Sequence, residues 1–291
     1  MISIVIVNYN DWNTTISFVK QIESYSILDH IIIVDNCSTD NSFVMLKKLA
    51  ISPKIDVIKS AQNGGYGMGN NVGVDLAYKK YNSEYVIISN SDVIVEEKVV
   101  LSLVKEMENN KNISAMAPVM CNSKGKEEPN CAWKLQSTKW GFFAFNTPLL
   151  NRIVNKNLKF YLQNNSVDSN IVQTEAIAGS FFIIRTEDFM QVGGFDEKIF
   201  LYYEETVLGI KLKQINKKLA ILKNEKFIHN HSSSISKSYK SKFKRDKLLW
   251  ESKKYVLKAY YDSTDIELVL FALLRNIFGL IGLVRALFVF E

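Results

Sequence analysis

Hydrophobic and polar positions along the first 95 residues switch repeatedly between two periods. Ile2-Ser3-Ile4-Val5-Ile6-Val7 is a mostly β-branched run that stops at Asn8, the mark of a buried strand bounded by a turn. Ile16, Val19 and Ile22 then recur at helical spacing, with Asp11 or Asn13 as the candidate cap of a helix ending near Ser24. Ile31–Val34 predicts a second strand, followed by the polar run Asp35-Asn36-Cys37-Ser38-Thr39-Asp40 and a helix over Ser42–Leu49. Ile55–Ile58 is the third strand, a glycine-rich turn leads into a helix near Asn70–Tyr81, and Tyr85–Ser89 is the fourth strand. Such alternation predicts an α/β fold whose mostly parallel sheet is flanked by helices. Glu96–Asn109 adds a helix with its apolar stripe on Val99, Val100, Leu103, Val104 and Met107.

Farther along, the periodicity weakens. From Cys121 to about Thr174 the chain is irregular and aromatic, with Trp133, Trp140, Phe142, Phe143, Phe145, Phe160 and Tyr161, as in a functional insertion. Ala176–Arg185 predicts a buried strand with a small-residue start, and helical spacing returns at Glu204–Ile215 and Lys242–Tyr260. Ile266–Phe290 is the most apolar stretch, but Arg275 and Arg285 interrupt it, so no run reaches the ~20 residues of a spanning helix. Glu267, Arg275 and Arg285 share an arc of about 80°, leaving a wide apolar face. That face suits an interfacial helix, a dimer contact or a core helix.

Composition narrows the class. With 291 residues, 47% of them hydrophobic, the chain can bury a large core, and four Pro and thirteen Gly exclude a collagen-like or linker-dominated architecture. The apolar start lacks a basic leader and reads as a strand, not a signal peptide. Cys37, Cys121 and Cys131 have neither even count nor ligand spacing, which argues against a disulfide framework or zinc site and for a reducing cytoplasm. The net charge of +6 is unevenly spread: Lys211 to Lys258 holds 15 basic and 3 acidic residues, the remainder 21 basic and 27 acidic. A basic block of this kind suits phosphates or an anionic membrane face.

Candidate chemistry begins at Val86-Ile87-Ile88-Ser89-Asn90-Ser91-Asp92-Val93. Open α/β sheets place ligands at the carboxyl ends of their strands, although a lone Asp there serves a turn equally well. Asn63-Gly64-Gly65-Tyr66-Gly67-Met68-Gly69-Asn70-Asn71-Val72-Gly73 holds five glycines in eleven positions, more than a tight connection needs. Glycines let backbone N–H groups close on an anion. Neither a dinucleotide fingerprint after the first strand nor a P-loop occurs.

These segments together resemble glycosyltransferase family 2. Val5-Ile6-Val7-Asn8-Tyr9-Asn10 and Ile33-Val34-Asp35-Asn36-Cys37-Ser38-Thr39-Asp40 look like its opening, the glycine-rich segment like its Asn-Gly-Gly turn, and Asn90-Ser91-Asp92 like a variant of its Asp-x-Asp motif. Gly193-Gly194-Phe195-Asp196-Glu197 and Phe200-Leu201-Tyr202-Tyr203-Glu204-Glu205 are similar to its acceptor-side motif. The likeness covers roughly residues 2–235 and is nearest to the bacterial rhamnosyltransferase-like branch.

The resemblance implies a GT-A fold over residues 1–235, with a nucleotide-sugar half (1–117) and an acceptor half (118–235). A basic, amphipathic helical extension would follow over 236–291. It implies a dTDP- or UDP-linked donor contacted by Val7, Asn8, Asn10, Asp35, Asn63, Gly65, Asn70, Asn90 and Ser91. Mg2+ or Mn2+ would be held by Asp92 with His229 or His231, and Lys237, Lys240 and Lys242 would reach phosphate. Glu205 is the implied general base, with Glu204 as the alternative. Relatives carry Glu-Asp and a later Asp where this chain has Glu204-Glu205-Thr206-Val207. The acceptor would be a saccharide, lipid-linked through polyprenyl diphosphate, met at the inner face of the cell membrane, with no nucleic acid involved. Two other readings compete: a sugar-phosphate nucleotidyltransferase, whose basic glycine loop after the first strand is missing here, and a non-catalytic polysaccharide-binding scaffold.

Overall fold

The computed structural model describes residues 1–147, 149–151, 170–230 and 241–288. Four β-branched runs become β1 (Ile2–Asn8), β2 (His30–Asp35), β3 (Ile55–Lys59) and β4 (Tyr85–Ser89), parallel in the order β3-β2-β1-β4. Their near-continuous burial explains the lack of alternation, because helices cover both faces of such a sheet. Helices α1 (Trp12–Ile22), α2 (Ser42–Lys47) and α3 (Gly65–Tyr81) are the crossovers. Registers pair Asn8 with Asp35, so both stand at the carboxyl edge of the sheet.

Beyond β4 the sheet turns mixed and reaches nine strands among the described residues. After the short β5 (Val93–Ile94) and α4 (Glu97–Asn109) comes β6 (Ile113–Cys121). The strands β7 (Ala132–Trp133) and β9 (Ala176–Ile177) make a separate ribbon, with α5 (Lys139–Phe145) and β8 (Ile171–Thr174) between them. Then β10 (Phe181–Arg185) inserts antiparallel between β4 and β6, followed by α6 (Thr186–Gln191) and α7 (Glu204–Gln214). Finally β11 (Lys218–His229) runs parallel to β6 and antiparallel to β5 and β8. The expected stripe of α4 is buried at all five positions.

The structure departs from the sequence pattern in three places. Strands β6 and β11 were not legible: β6 carries small residues and Pro118 in place of a β-branched run, and β11 is broken by the polar Lys223-Asn224-Glu225-Lys226, where its register with β6 shifts. The expected strand Ala176–Arg185 is divided by Ala178-Gly179-Ser180 into β9 and β10, which belong to different sheets. The glycine-rich segment is not a turn ahead of the helix but mostly the start of α3 itself. A Cβ at Gly73 would lie 2.3 Å from Val5 Cγ1, and one at Gly69 would lie 2.8 Å from Val7 Cγ1. The glycines serve close helix-to-strand approach as much as any ligand.

A second apolar cluster gathers Phe142 and Phe143 of α5, Ile199, Val207 of α7, and Val256, Leu257 and Phe271. The last three lie on α8 (Lys242–Tyr260) and α9 (Asp265–Phe288). Buried Lys253 donates to Phe143 O (3.2 Å), Asn146 O (2.9 Å) and Thr147 Oγ1 (3.1 Å). Ser252 donates to Leu201 O (2.7 Å), and the Tyr255 and Tyr260 hydroxyls donate to Asp196 Oδ2 (2.8 and 2.7 Å). Among the described residues no helix is long and apolar enough to cross a membrane. Replacing Gly73 by Ala is expected to destabilise the fold by about 1–3 kcal/mol through overpacking; a chemical denaturation midpoint unchanged from wild type would contradict the tight α3–β1 contact.

Candidate functional site

At the carboxyl edge of β1 and β2 the chain builds a polar net. Buried Asn8 donates through Nδ2 to Asp35 Oδ1 (3.0 Å) and Ser38 Oγ (3.3 Å), and its Oδ1 accepts from Thr15 Oγ1 (2.9 Å). Fully buried Asp35 accepts a second bond from Ser38 N (3.1 Å). A carboxylate has about four acceptor sites, so Asp35 is anchored with capacity left for a donor on a ligand. Asn10, at φ 52°, donates its backbone N–H to Ser38 Oγ (3.0 Å) and through Nδ2 to Thr39 Oγ1 (3.0 Å). Val7, half-buried, lies beneath Gly69.

The same edge continues into α3. Asn36 donates through Nδ2 to Asn63 Oδ1 (3.1 Å) and Gly65 O (2.9 Å), and Asn63 Oδ1 also accepts Gly65 N (3.1 Å). Gly65 has φ +86°, and a Cβ there would meet Phe200 O at 1.8 Å, so both conformation and space require glycine. Asn70 is fully buried and donates to Tyr66 O (3.0 Å). The Oδ1 atoms of Asn36 and Asn70 are buried without a partner among the described residues, an arrangement retained where a ligand or water completes the bonding.

One strand along, three side chains meet. His229 Nε2, at the end of β11, lies 3.1 Å from Asp92 Oδ1 and 3.3 Å from Asn90 Nδ2. Asn230 N donates to Asp92 O (2.9 Å), and Asp92 is 8% exposed; Ser91 beside it is half-buried. Adjacent ligands held about 2.1 Å from one octahedral cation lie roughly 3 Å apart, so the Asp92–His229 separation fits a shared divalent ion. No third His, Cys, Asp or Glu joins them among the described residues. His231, Lys237 and Lys240 lie outside those residues.

The carboxylate pair opens α7 after two consecutive left-handed residues, Tyr202 (φ 75°) and Tyr203 (φ 73°). Such backbone costs on the order of 1–3 kcal/mol per residue and persists only where surroundings impose it. Here the Ser252 bond to Leu201 and the packing of Tyr203 on Phe142, with centroids 5.4 Å apart, impose it. Glu204 is 2% exposed, and its Oε1 is buried without a partner among the described residues. Burial, then the neighbouring Glu205, holds its carboxyl well above the usual carboxylate range. Glu205 is half-buried and accepts Gly179 N at 3.0 Å, with its carboxyl also pushed up by burial.

Residues 179 and 180 join these parts. Gly179 N bonds Glu205, Gly179 O accepts the Tyr66 hydroxyl of α3, and Ser180 O accepts Asn90 N at 2.8 Å. The carboxylate pair and the Asp92 cluster are therefore bonded to adjacent residues of one turn. Sequence reasoning singled out neither Gly179, Ser180 nor Tyr66 for this role: the first two act through backbone atoms and Tyr66 through a hydroxyl bonded to a backbone carbonyl. The only available signal was the small pair Gly179-Ser180 interrupting an apolar run. The arrangement sets an Asp–His–Asn cluster at one end and the Glu204-Glu205 carboxylate pair at the other.

The family model Glycosyl transferase family 2 matches residues 3–187. The chain is 25% identical to the low-salt glycan biosynthesis hexosyltransferase Agl10 of Haloferax volcanii, over 79% of this chain and 67% of that protein. It is also 25% identical to an N-acetylglucosaminyl-diphospho-decaprenol L-rhamnosyltransferase of Mycobacterium tuberculosis, over 62% of this chain and 60% of that protein. Among solved structures it is similar to GalNAc-T7 with UDP, GalNAc and Mn2+, at a TM-score of 0.60 and 17% identity, covering 95% of this chain and 55% of that one. The nine-stranded sheet is thus the GT-A fold. With the family's pattern matched over β1 to β10 and the motif residues gathered at one sheet edge, the chain belongs to glycosyltransferase family 2.

Proposed function

We propose that this protein is an inverting, metal-dependent glycosyltransferase that builds a bacterial surface polysaccharide. It would move a sugar, rhamnose or another hexose, from a dTDP- or UDP-linked donor to a saccharide carried on polyprenyl diphosphate. The observation that carries the reading is the Gly179-Ser180 turn, which bonds the cluster of Asn90 and the carboxylate of Glu205 from neighbouring residues. The relatives add support through their own names, one a hexosyltransferase and one a rhamnosyltransferase on a decaprenol-linked sugar.

In this reading Asp35 accepts the N–H of the uracil or thymine ring, with the backbone at Val7-Asn8 and the Asn10 loop beside it. Asn63, Gly65, Asn70 and Ser91 line the donor's path. Asp92 and His229 hold Mg2+ or Mn2+, with Asn90 beside them; a bound divalent cation neutralises the leaving diphosphate. Glu205 is the base in preference to Glu204, because it is the less buried of the two. Its carboxylate takes the acceptor hydroxyl's proton as that oxygen bonds the anomeric carbon. The bond to the donor phosphate breaks on the opposite face, and its electron pair leaves with the nucleotide diphosphate. Glu204, whose carboxyl burial pushes well up, supports the helix start and is less accessible to the acceptor hydroxyl.

Contact with the membrane belongs to the same proposal. Ile266, Val269, Leu273, Ile277 and Leu280 of α9 recur every three or four residues and are all at least half exposed, giving one apolar face of the kind that lies in a bilayer interface. An enzyme acting on a polyprenyl-linked acceptor at the cytoplasmic leaflet has use for such a face.

Four measurements test these assignments. Calorimetric binding of UDP and dTDP is expected to strengthen with Mn2+ in wild type and to lose that increment in Asp92→Ala; equal binding with and without metal in wild type would remove the cation from the reading. Glu205→Gln is expected to lower kcat by about 10²–10⁴-fold, the usual weight of a general base. Glu204→Gln should keep most activity and raise Tm at pH 7 by about 2–4 °C, a change near 1 kcal/mol for a chain of this size. Because the folded carboxyl titrates above its ordinary value of 4.5, wild-type stability falls as pH rises beyond that value; the Gln variant should lose part of this decline. Leu273→Asp with Ile277→Asp should abolish co-sedimentation with phosphatidylserine-containing vesicles, and retained binding would direct attention away from α9.

A further inference from the structure

The first turn of α3 lies directly against the start of α7. Tyr66 N donates to Phe200 O (3.2 Å), the Tyr66 ring meets Phe195 edge-on with centroids 5.6 Å apart, and a Cβ at Gly67 would lie 3.7 Å from Glu204 Cγ. The Tyr66 hydroxyl then reaches past α7 and donates to Gly179 O. On the other side of the same residue, Gly179 N donates to Glu205 Oε1 at 3.0 Å. A Cβ at Gly179 would stand 2.4 Å from Glu205 Oε1 and 3.0 Å from Tyr66 Oη, so both oxygens crowd the space that a side chain there would take.

Each part of this chain of contacts is needed for the next. A side chain at 179 would displace both oxygens from their present places, and glycine leaves its two flanking peptides freer to rotate than any other residue would. The Tyr66 hydroxyl removes that freedom by fixing the carbonyl. Its own orientation is set from α3, whose Tyr66 O also accepts buried Asn70 Nδ2 (3.0 Å). Besides its own backbone N–H, the Glu205 carboxyl is held by the Gly179 N–H, so its placement relative to the rest of the site depends on what holds that glycine. A base misplaced by about 1 Å can cost on the order of 10²-fold in rate.

We propose that Tyr66 is a positioning residue: through Gly179 it sets the carboxylate of Glu205 in place and ties the base to the donor-side helix α3. The inference rests on the proposed role of Glu205 for its kinetic consequence, though the contact network stands without it. Tyr66→Phe keeps the ring and its packing against Phe195 and removes only the hydroxyl.

Two readouts separate the clamp from the transfer reading. Hydrogen exchange at the Gly179 amide needs no substrate: Tyr66→Phe should speed it at least tenfold with Tm within a few degrees of wild type. Unchanged exchange overturns the clamp. For turnover, dTDP-rhamnose, UDP-glucose and UDP-N-acetylglucosamine are offered with N-acetylglucosaminyl-diphospho-decaprenol. With the donor that wild type uses, Tyr66→Phe should lower kcat at least tenfold and leave the donor KM within twofold. In the Glu205→Gln background the same change should have no further effect on kcat, because residues acting as a unit are not additive. Additive losses, or a loss carried wholly by KM, would mean a general packing role and overturn the proposal. If Glu205→Gln itself turned over like wild type while exchange at Gly179 still rose in Tyr66→Phe, the base assignment would fail and the contact network would stand.

Discussion

Helix α3 lies so close to the sheet that one methyl group on its underside would have no room. At Gly73 it would overlap Val5, and at Gly69 it would press on Val7. This approach decides where everything at the carboxyl edge can be. It brings the Asn63-Gly65 turn within reach of Asn36, beside Asp35. It also lets Asn71 bond the backbone N–H and carbonyl of Phe195 at 2.9 Å each, which fastens the Gly193-Gly194 turn to the same helix. Space that would otherwise hold a side chain is used to bring backbones together, and the polar groups follow.

The second organising feature is electrostatic. Two adjacent carboxylates are carried into low-dielectric surroundings at the start of α7, where the helix dipole favours negative charge but burial does not. Burial dominates at Glu204, whose one oxygen has no partner. Glu205 is somewhat more exposed and takes its outside hydrogen bond from Gly179 rather than from Tyr202, so neighbouring identical residues meet unequal surroundings. The left-handed Tyr202-Tyr203 pair aims them, held from behind by aromatic packing rather than by glycine.

How much of this could be read from the sequence follows from the length scale of each signal. Strands β1 to β4 and helices α1 and α4 span several turns of their period and were legible. The 12-residue β11 was not, because a polar stretch interrupts it where its pairing slips. Asp35, Asp92 and the Glu204-Glu205 pair stand in motifs that survive as short strings, and His229 was found with them. The residues that connect those motifs leave almost no string. Tyr66 reads as one more aromatic, Asn36 as the neighbour of an aspartate, and Gly179-Ser180 as a flaw in a strand. Gly179 and Ser180 work through single backbone atoms, and Tyr66 and Asn36 through side-chain atoms whose partners include backbone carbonyls, links that amino-acid identity only weakly records.

The bonds made by α8 have a further consequence. Asp196 takes two tyrosine hydroxyls, Leu201 takes Ser252, and the end of α5 takes Lys253, all from one helix. Residues 196 and 201 are the stretch of chain that leads into the strained entry to α7. The C-terminal helices are therefore not a detachable module that could be exchanged between relatives to change where the enzyme works. A graft that replaced α9 alone would remove Phe271 from the cluster it shares with α5 and α7, and one that began at α8 would strip the buttress from the carboxylates as well.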